Sequence, residues 1–540
     1  MLRWIGIFLL TLALNLPGQA QEMKLQVLAT SDTHAAIMAE DPFTLRPSNR
    51  GWAKLATLIR QQKARHPHTL LLDGGDTIQG DPSAYLRARV RTDLPDAPMA
   101  IMNALGYHAM TVGNHDFDWG QATLRQAEEQ ATFPWLAANL VTTSTGKPAF
   151  TPYAVVEMGL VRVGILGLAN SSTTQIVPAA NLHGLRVEDA LATARTYVPL
   201  LRTKEKADVV VVFLHGGMGR PDARAFTENQ GMALAEQVPG IDLLLLGHTH
   251  TNVATRHNGV PILQPMAQGQ ALGVAELSLR KERQGWKVVA CTHEVRPVTE
   301  DLPPDPQVLE LTAPLRAATE KYLNTSTATL TTDLDGRWSR MEDSALMQLI
   351  HTVQRQAVNA QLSAAASPSV RYFVPKGPTS IRQFWALMPY ENLVARIPVT
   401  GLQLKLWLEH AARYYNLSHQ PELVNREVPG FDFDMIDGVS YALDISRPLG
   451  QRVVDLKFNG QPVKENQTFT MAITSYRLSG GGGYLDAIHF KGQAQVQNPT
   501  PLRNLLFEYV LARPTLSIDV PNRWRIIPAL DRERVLAQTR

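Results

Sequence analysis

Runs of apolar residues alternate with longer segments of helical character through the first half of the chain. Six of these runs lie at residues 25–29, 69–72, 109–112, 163–168, 209–214 and 241–246. Most of their positions are Val, Leu, Ile or Ala, which is typical of strands covered on both faces. The pattern therefore predicts an α/β domain built in layers over residues 21–296.

The pattern changes after residue 296. Four prolines cluster between residues 297 and 306, and a helical segment follows at 307–323. Clustered prolines mark the end of the first domain, because they interrupt regular structure. With the helical segment that follows, they predict a helical linker at residues 297–329. Beyond it, helical patterns and strand-like runs mix, at 344–361, 401–415, 439–445 and 469–474. Residues 330–540 are therefore predicted to form a second, α+β domain.

Length and composition support this division. A chain of 540 residues with 44% hydrophobic content exceeds what one core normally supports. Arg3, an apolar run at 5–16 and small residues at 18–20 predict a signal peptide at residues 1–20 and export to the periplasm. That run is shorter than the roughly 20 residues needed to span a bilayer, so we expect no membrane span.

Charge limits the kinds of partner that we expect, and cysteine content limits the sources of stability. The net charge is +3, and no long Lys/Arg block is present, so a large nucleic acid is not expected as a partner. Cys291 is the only cysteine, which excludes a disulfide within one chain. We expect the protein to be a monomer. Stability is therefore expected to come from core packing and bound metal.

Five polar motifs follow five of the apolar runs. They are Asp32-x-His34, Gly75-Asp76, Gly113-Asn114-His115-Asp116, His215-Gly216-Gly217 and Gly247-His248-Thr249-His250. Residues just past strand ends converge on the crevice of an α/β sheet, so we expect these motifs to meet there.

Their side chains offer oxygen and imidazole donors without a thiolate. This donor set suits divalent zinc, manganese, iron or cobalt. Residues two apart in an extended segment point the same way, so Asp32 and His34 are predicted to share one ion. His248 and His250 either share an ion in the same way or divide between neighbouring ions.

The motifs SDTH, GGDT, GNHDFDWG, LHGG and GHTH, in this order and spacing, resemble the calcineurin-like metallophosphoesterases, in particular their exported 5′-nucleotidase family. The resemblance implies two cations, one held by Asp32, His34, Asp76 and His250, the other by Asp76, Asn114, His215 and His248. A carboxylate shared between two dications about 3.5–4 Å apart offsets their repulsion.

The same resemblance implies a mechanism. Two cations lower the pKa of a shared water, and the resulting hydroxide attacks the phosphorus in line with the leaving sugar oxygen. His115 is the expected proton donor to that oxygen, with Asp118 orienting it. Asp73, Asp116 and Thr249 lie inside the motifs but are expected to hold turns rather than to bind substrate.

The second domain carries two segments that pair aromatic residues with turn residues, FDFDMIDGVSYALDIS and ITSYRLSGGGGY. Two aromatic faces can clamp a nucleobase, at roughly 1–3 kcal/mol per base. Phe431 and Tyr476 are the predicted clamp, with Phe433 as the alternate because strand register decides which phenylalanine faces outward. Arg477 is either a phosphate or sugar contact or a solvated residue.

These segments, with MPYENLVARIPVTGLQLKLWLEHAARYYN and NRWRIIPA, resemble the 5′-nucleotidase C-terminal domain. Within that family they most resemble the 2′,3′-cyclic-nucleotide 2′-phosphodiesterase/3′-nucleotidase branch, which implies hydrolysis of 2′,3′-cyclic nucleotides and 3′-nucleotides to nucleoside and phosphate. The alternatives are a 5′-nucleotidase or nucleotide-sugar hydrolase, a sulfur-oxidation thiohydrolase, and a nucleotide-binding module without turnover.

Overall fold

The computed structural model describes residues 21–388, 391–498 and 500–539. The predicted signal peptide at residues 1–20 lies outside the described residues. Within those residues, no helix combines the length and apolar character that crossing a membrane requires.

The first half of the chain forms two six-stranded mixed sheets. One runs, in spatial order, Gly285–Pro297, Ala271–Glu282, Glu22–Thr30, Thr69–Asp73, Ala109–Thr111 and Trp135–Leu136. The other runs Asn252–His257, Val260–Pro265, Leu243–Leu246, Val209–Leu214, Val161–Leu168 and Tyr153–Met158. A short pair, Leu140–Thr142 and Leu185–Val187, lies beside them.

The two sheets pack face to face. Leu25, Val27 and Leu70 of the first sheet share one buried cluster with Val163 and Val211 of the second. Helices cover the outer faces, Trp52–Lys63 and Ala97–Leu105 on the first sheet and Ala190–Thr203 on the second. Four layers result, and this is why the central strands are buried on both faces.

The second half contains smaller sheets. A five-stranded sheet has the order Asp434–Asp437, Leu362–Ala366, Thr468–Thr474, Val394–Thr400 and Gln495–Asn498. A four-stranded sheet has the order Gln461–Pro462, Val453–Phe458, Ser440–Asp444 and Trp524–Ile527. Gly377–Ser380, Ser326–Leu330 and Thr515–Leu516 form a third sheet, and Leu334–Asp335 pairs with Phe373–Val374.

Sequence signals explain where the longer helices begin. Asp305 caps the linker helix Pro306–Leu323 by accepting a hydrogen bond from the Val308 N–H, and Pro306 occupies the first turn, where its missing N–H costs nothing. Thr400 and Gln403 form a capping box at Gly401–Ala411. The other helices are Pro82–Tyr85, Gln121–Gln130, Thr173–Ile176, Gly231–Gln237, Ala345–Val358, Ile381–Trp385, Ser475–Leu478, Tyr484–Ala487, Leu502–Leu511 and Arg532–Gln538.

One buried cluster contains side chains from both halves of the chain. Tyr85 and Trp119 of the first half pack with Trp385 and Phe507 of the second. Ring centroids lie 5.0 Å apart for Tyr85 and Trp385, and 5.9 Å apart for Tyr85 and Trp119. We call these four aromatic residues the interdomain cluster.

The predicted fold class is confirmed, a layered α/β domain followed by an α+β domain. The sequence did not predict that the α/β domain contains two stacked sheets. Runs of buried aliphatic residues look alike in one sheet or two, because both arrangements cover each strand on both faces.

Candidate active site

All seven predicted metal ligands lie in loops at the carboxyl ends of strands. The first sheet supplies Asp32, His34, Asp76 and Asn114, and the second supplies His215, His248 and His250. Within each sheet, the strands that precede these loops are parallel to one another. Because the two sheets are stacked with these ends on the same side, the loops meet above the sandwich.

The side chains form two groups. Ligand atoms of Asp32, His34 and His250 lie within 4.8 Å of one another, and so do those of Asp76, His215 and His248. The two imidazole Nε2 atoms of His34 and His250 face each other at 3.1 Å. His215 Nε2 lies 3.1 Å from both Asp76 Oδ2 and Asn114 Oδ1, so Asn114 joins the second group.

These residues fit a pair of divalent cations. The buried atoms Asp76 Oδ2 and His248 Nδ1 have no hydrogen-bond partner of suitable geometry in the described part of the chain. Buried polar atoms are rarely left unpaired, so both atoms point to a ligand that the protein does not itself supply. Four imidazoles and two carboxylates without thiolate match the donor preference of zinc, manganese, iron or cobalt.

The backbone at the site is strained. Asp32, His34, Asp76, His248 and His250 all have positive φ, between 48° and 71°. This region is sparsely populated by non-glycine residues and costs of order 1–3 kcal/mol each. The extended conformation expected at residues 32–34 is therefore wrong, although Asp32 and His34 do share a group. His248 and His250 divide between the two groups, which was the second of the two predicted arrangements.

Two buried carboxylates hold the loops in this conformation. Asp116 accepts hydrogen bonds from the N–H groups of Asp76, Thr77, Ile78 and Gly113, at 2.8–3.1 Å. Asp73 accepts from the Gly75 N–H at 3.0 Å and from the Thr77 hydroxyl at 2.5 Å. Both residues thus hold turns, as predicted, and Thr249 likewise donates to Gln264 outside the two groups.

Gly113 permits the close approach of two loops. A Cβ at this position would lie 2.2 Å from Asp76 Oδ1 and 2.3 Å from the Asp76 backbone nitrogen. No side chain fits there, so glycine is required for the Asp76 loop to pack in this position.

His115 and Asp118 lie at the edge of the two groups. His115 Nδ1 is 2.8 Å from Asp118 Oδ2, and its ring centroid is 5.6 Å from that of His34. The His115 backbone N–H donates to Asp76 Oδ1 at 2.7 Å, which ties the pair to the ligand loop. With Nδ1 directed at Asp118, Nε2 is the atom available to a substrate.

Charges around the site shift the pKa values of Asp76 and His115 in opposite directions. Burial raises the pKa of Asp76, but the imidazoles of His215 and His115 outweigh it and hold that pKa well below its usual range. Burial lowers the pKa of His115, but the carboxylates of Asp118 and Asp76 outweigh it and raise that pKa to about 10. The protein alone therefore favours a charged Asp76 and a protonated His115. The positive charge of bound cations would oppose the protonation of His115.

The predicted aromatic clamp divides into exposed and buried members. Phe431 is 55% exposed and Tyr476 is 43% exposed, whereas Phe433 is 0% exposed. Phe433 packs in the core against Tyr414 and Trp524. The alternate choice of Phe433 is therefore corrected, because a fully buried ring cannot face a ligand.

Arg477 is neither solvated nor free to bind phosphate. Its guanidinium is buried and ion-paired with Asp432 at 2.7 Å and Asp434 at 2.8 Å. It also lies under the ring of Tyr476, 5.1 Å from the centroid. Arg477 therefore supports the exposed aromatic residue from below.

Sequence reasoning missed one carboxylate at the site. Glu228 Oε1 lies 2.6 Å from His248 Nε2. Glu228 follows no strand and belongs to none of the five motifs, so no spacing signal pointed to it.

Comparisons with known proteins identify two families along the chain. Residues 25–252 match the calcineurin-like phosphoesterase family, and residues 322–489 match the 5′-nucleotidase C-terminal domain. The chain is 28% identical to the trifunctional nucleotide phosphoesterase protein YfkN of Bacillus subtilis, over 97% of this chain and 40% of that protein. It therefore spans less than half the length of that relative.

Two further relatives match over most of their length. The 2′,3′-cyclic-nucleotide 2′-phosphodiesterase/3′-nucleotidase of Salmonella typhimurium is 29% identical, over 86% of this chain and 82% of that protein. The crystal structure of a candidate 5′-nucleotidase from Staphylococcus aureus is 23% identical and superposes with a TM-score of 0.80, covering 93% of this chain and all of that chain. The latter likeness concerns the fold alone.

Fold and site together define a two-domain phosphoester hydrolase with a candidate two-cation centre. The chain belongs to the calcineurin-like phosphoesterases that carry a 5′-nucleotidase C-terminal domain.

Replacing Asp76, which is predicted to be shared by both cations, tests the metal centre. Asp76→Ala is expected to reduce bound cation from two per chain to one or fewer, because the second group loses its carboxylate and both cations would lose the predicted bridging ligand. Elemental analysis of the full chain after gel filtration measures this. Asp93→Ala, at an exposed carboxylate, is the control and should bind as the unchanged protein does. Two cations retained by Asp76→Ala would contradict the assignment.

Proposed function

We propose that this protein hydrolyses 2′,3′-cyclic nucleotides and 3′-nucleotides to nucleoside and inorganic phosphate, and that it does so after export to the periplasm. The observation that carries the hydrolytic part is the pair of ligand groups around Asp76, with His115 and Asp118 beside them. The Salmonella relative carries the substrate part. The export part rests on the N-terminal pattern of residues 1–20.

In this proposal Asp32, His34, Asp76, Asn114, His215, His248 and His250 hold two divalent cations. When bound, the cations supply positive charge for the phosphoryl oxygens and lower the pKa of water. Asn114 and Asp76 fix the adjacent residue His115, because the His115 N–H donates to Asp76.

His115 acts as the proton donor. Its Nδ1–H donates to Asp118, which leaves a proton on Nε2 of the charged ring for the departing sugar oxygen. A ribose oxygen is a poor leaving group without that proton, because the free alkoxide is strongly basic.

Phe431 and Tyr476 are proposed to bind the base. Both rings are exposed in a domain whose other large aromatic residues are mostly buried, and Arg477 supports Tyr476 from below. Residues 21–296 then supply the chemistry, residues 330–540 supply base recognition, and residues 297–329 connect them.

A substrate panel tests the proposed specificity. Manganese-loaded full chain is expected to release phosphate faster from 3′-AMP than from 5′-AMP, and to open 2′,3′-cyclic AMP. Phosphate assay and chromatography of the nucleoside products measure both steps. Faster hydrolysis of 5′-AMP or of a nucleotide sugar would favour the 5′-nucleotidase alternative. Release of sulfate from a cysteine S-sulfonate, with no phosphate released from any nucleotide, would favour a thiohydrolase. Nucleotide binding without any release would favour a binding module.

Removing the proton donor should separate binding from chemistry. His115→Ala is expected to lower kcat for 3′-AMP by roughly 100- to 10,000-fold while the chain keeps both cations. The loss should be much smaller for p-nitrophenyl phosphate, because p-nitrophenolate leaves without a proton. An equal loss on both substrates would contradict the role of donor.

The proposed clamp predicts a base-dependent effect. Phe431→Ala and Tyr476→Ala are each expected to raise the KM for 3′-AMP, because a stacking face is lost. The increase should correspond to a loss of about 1–3 kcal/mol of binding free energy. Ribose 3-phosphate, which has no base, should show no change. Phe373→Ala, at another exposed aromatic residue of the same domain, is the control. Unchanged KM values for 3′-AMP in both clamp variants would contradict this assignment.

A further inference from the structure

The histidines of the two ligand groups each have two ring nitrogens, and only one can face a cation. In three of them the other nitrogen has a fixed partner. His34 Nδ1 lies 3.0 Å from the Gln79 carbonyl oxygen, and His215 Nδ1 lies 2.7 Å from the Gly74 carbonyl oxygen. Both rings are thereby directed with Nε2 toward their group.

His248 is turned the other way round. Its Nε2 lies 2.6 Å from Glu228 Oε1, and its Nδ1 is buried without a partner in the described part of the chain. A carboxylate accepts but does not donate, so Nε2 carries a proton, and in the neutral imidazole Nδ1 then has the lone pair available to the group of Asp76 and His215.

The loop that carries Glu228 is itself held in place. The Asn170 side chain donates to the Glu228 carbonyl oxygen at 3.1 Å, and Asn170 is fully buried. The next residue, Asn229, accepts a hydrogen bond from the Gly217 N–H at 2.8 Å, beside the ligand His215. Gln230 donates to Asp189 at 2.8 Å. The backbone that carries the Glu228 carboxylate is therefore held by hydrogen bonds at three consecutive residues.

We propose that Glu228 is a positioning residue that fixes the ring orientation and tautomer of His248 and so sets the affinity of the cation bound by Asp76, Asn114, His215 and His248. Among the three fixed imidazoles, this one alone has a charged acceptor. When its N–H is bonded to a carboxylate rather than to a backbone carbonyl, an imidazole is a stronger electron-pair donor to a cation. The inference rests on the cation centre of the proposed function, but not on its substrate.

The test is cation binding rather than turnover. The full chain is stripped of metal and titrated with Co²⁺, and the visible absorption of bound Co²⁺ reports each equivalent. Glu228→Ala is expected to weaken one of the two equivalents by about 10- to 100-fold and to leave the other unchanged. Glu228→Gln keeps an oxygen acceptor without the charge, so its affinity should fall between Glu228→Ala and the unchanged protein.

The chain offers a matched control. Glu236 Oε2 lies 2.9 Å from His257 Nε2, away from both ligand groups, and the exposed fractions of the two glutamate side chains are similar, 47% and 51%. Glu236→Gln removes a charge of the same kind, also from a glutamate beside a histidine, and should leave both Co²⁺ affinities unchanged.

The outcomes separate this inference from the proposed function. Two Co²⁺ equivalents bound by Glu228→Ala as tightly as by the unchanged protein would overturn the inference, and so would equal weakening of both equivalents. If Glu228→Ala does not fold, Glu228→Gln decides alone, with weakening of one equivalent expected. An unchanged chain that binds two Co²⁺ ions but releases no phosphate from any nucleotide would refute the proposed function and leave the role of Glu228 standing.

Discussion

The site depends on two fully buried carboxylates, Asp32 and Asp76, that face a shared set of imidazoles. A carboxylate removed from water is costly unless opposite charge lies beside it. No Lys or Arg is paired with either residue in the described part of the chain, so the compensation within the protein comes from histidines and from hydrogen-bond donors, and bound cations would add to it. Cation binding and the conformation of the loops are for this reason parts of one equilibrium.

The remaining features of the site follow from holding those carboxylates close together. Five residues adopt positive φ at a cost that local interactions do not recover, so the scaffold must hold them. Asp116 does so through four backbone N–H groups, and Gly113 gives Asp76 the space it needs. Stacking the two sheets completes the ligand set, because each group contains residues from loops of both sheets.

The sequence predicted the residues of the site better than their geometry. Every predicted ligand follows a buried strand, so convergence at one end of the domain could be foreseen from strand polarity alone. The positive φ values at His248 and His250 could not, because they result from contacts between loops distant in sequence. The same limit applies to Phe433: alternation along a strand marks two faces but does not tell which one is covered. Glu228 was missed since its partner lies in a different loop, and the interdomain cluster was missed because its members lie in four separate segments.

The interdomain cluster brings the second domain close to the chemistry. Trp119 directly follows Asp118, and its ring packs on Tyr85, which in turn contacts Trp385. Arg503 lies over the rings of Tyr85 and Trp385, 4.9 and 4.3 Å from their centroids, and is ion-paired with Glu391. Burial lowers the pKa of Arg503 to about 10, opposed by the fields of Tyr85, Tyr322 and Asp118. The carboxylate that orients His115 is thus within electrostatic reach of a buried cation from the other domain. A change in how the domains pack would therefore alter the surroundings of Asp118 directly, without first moving any metal ligand.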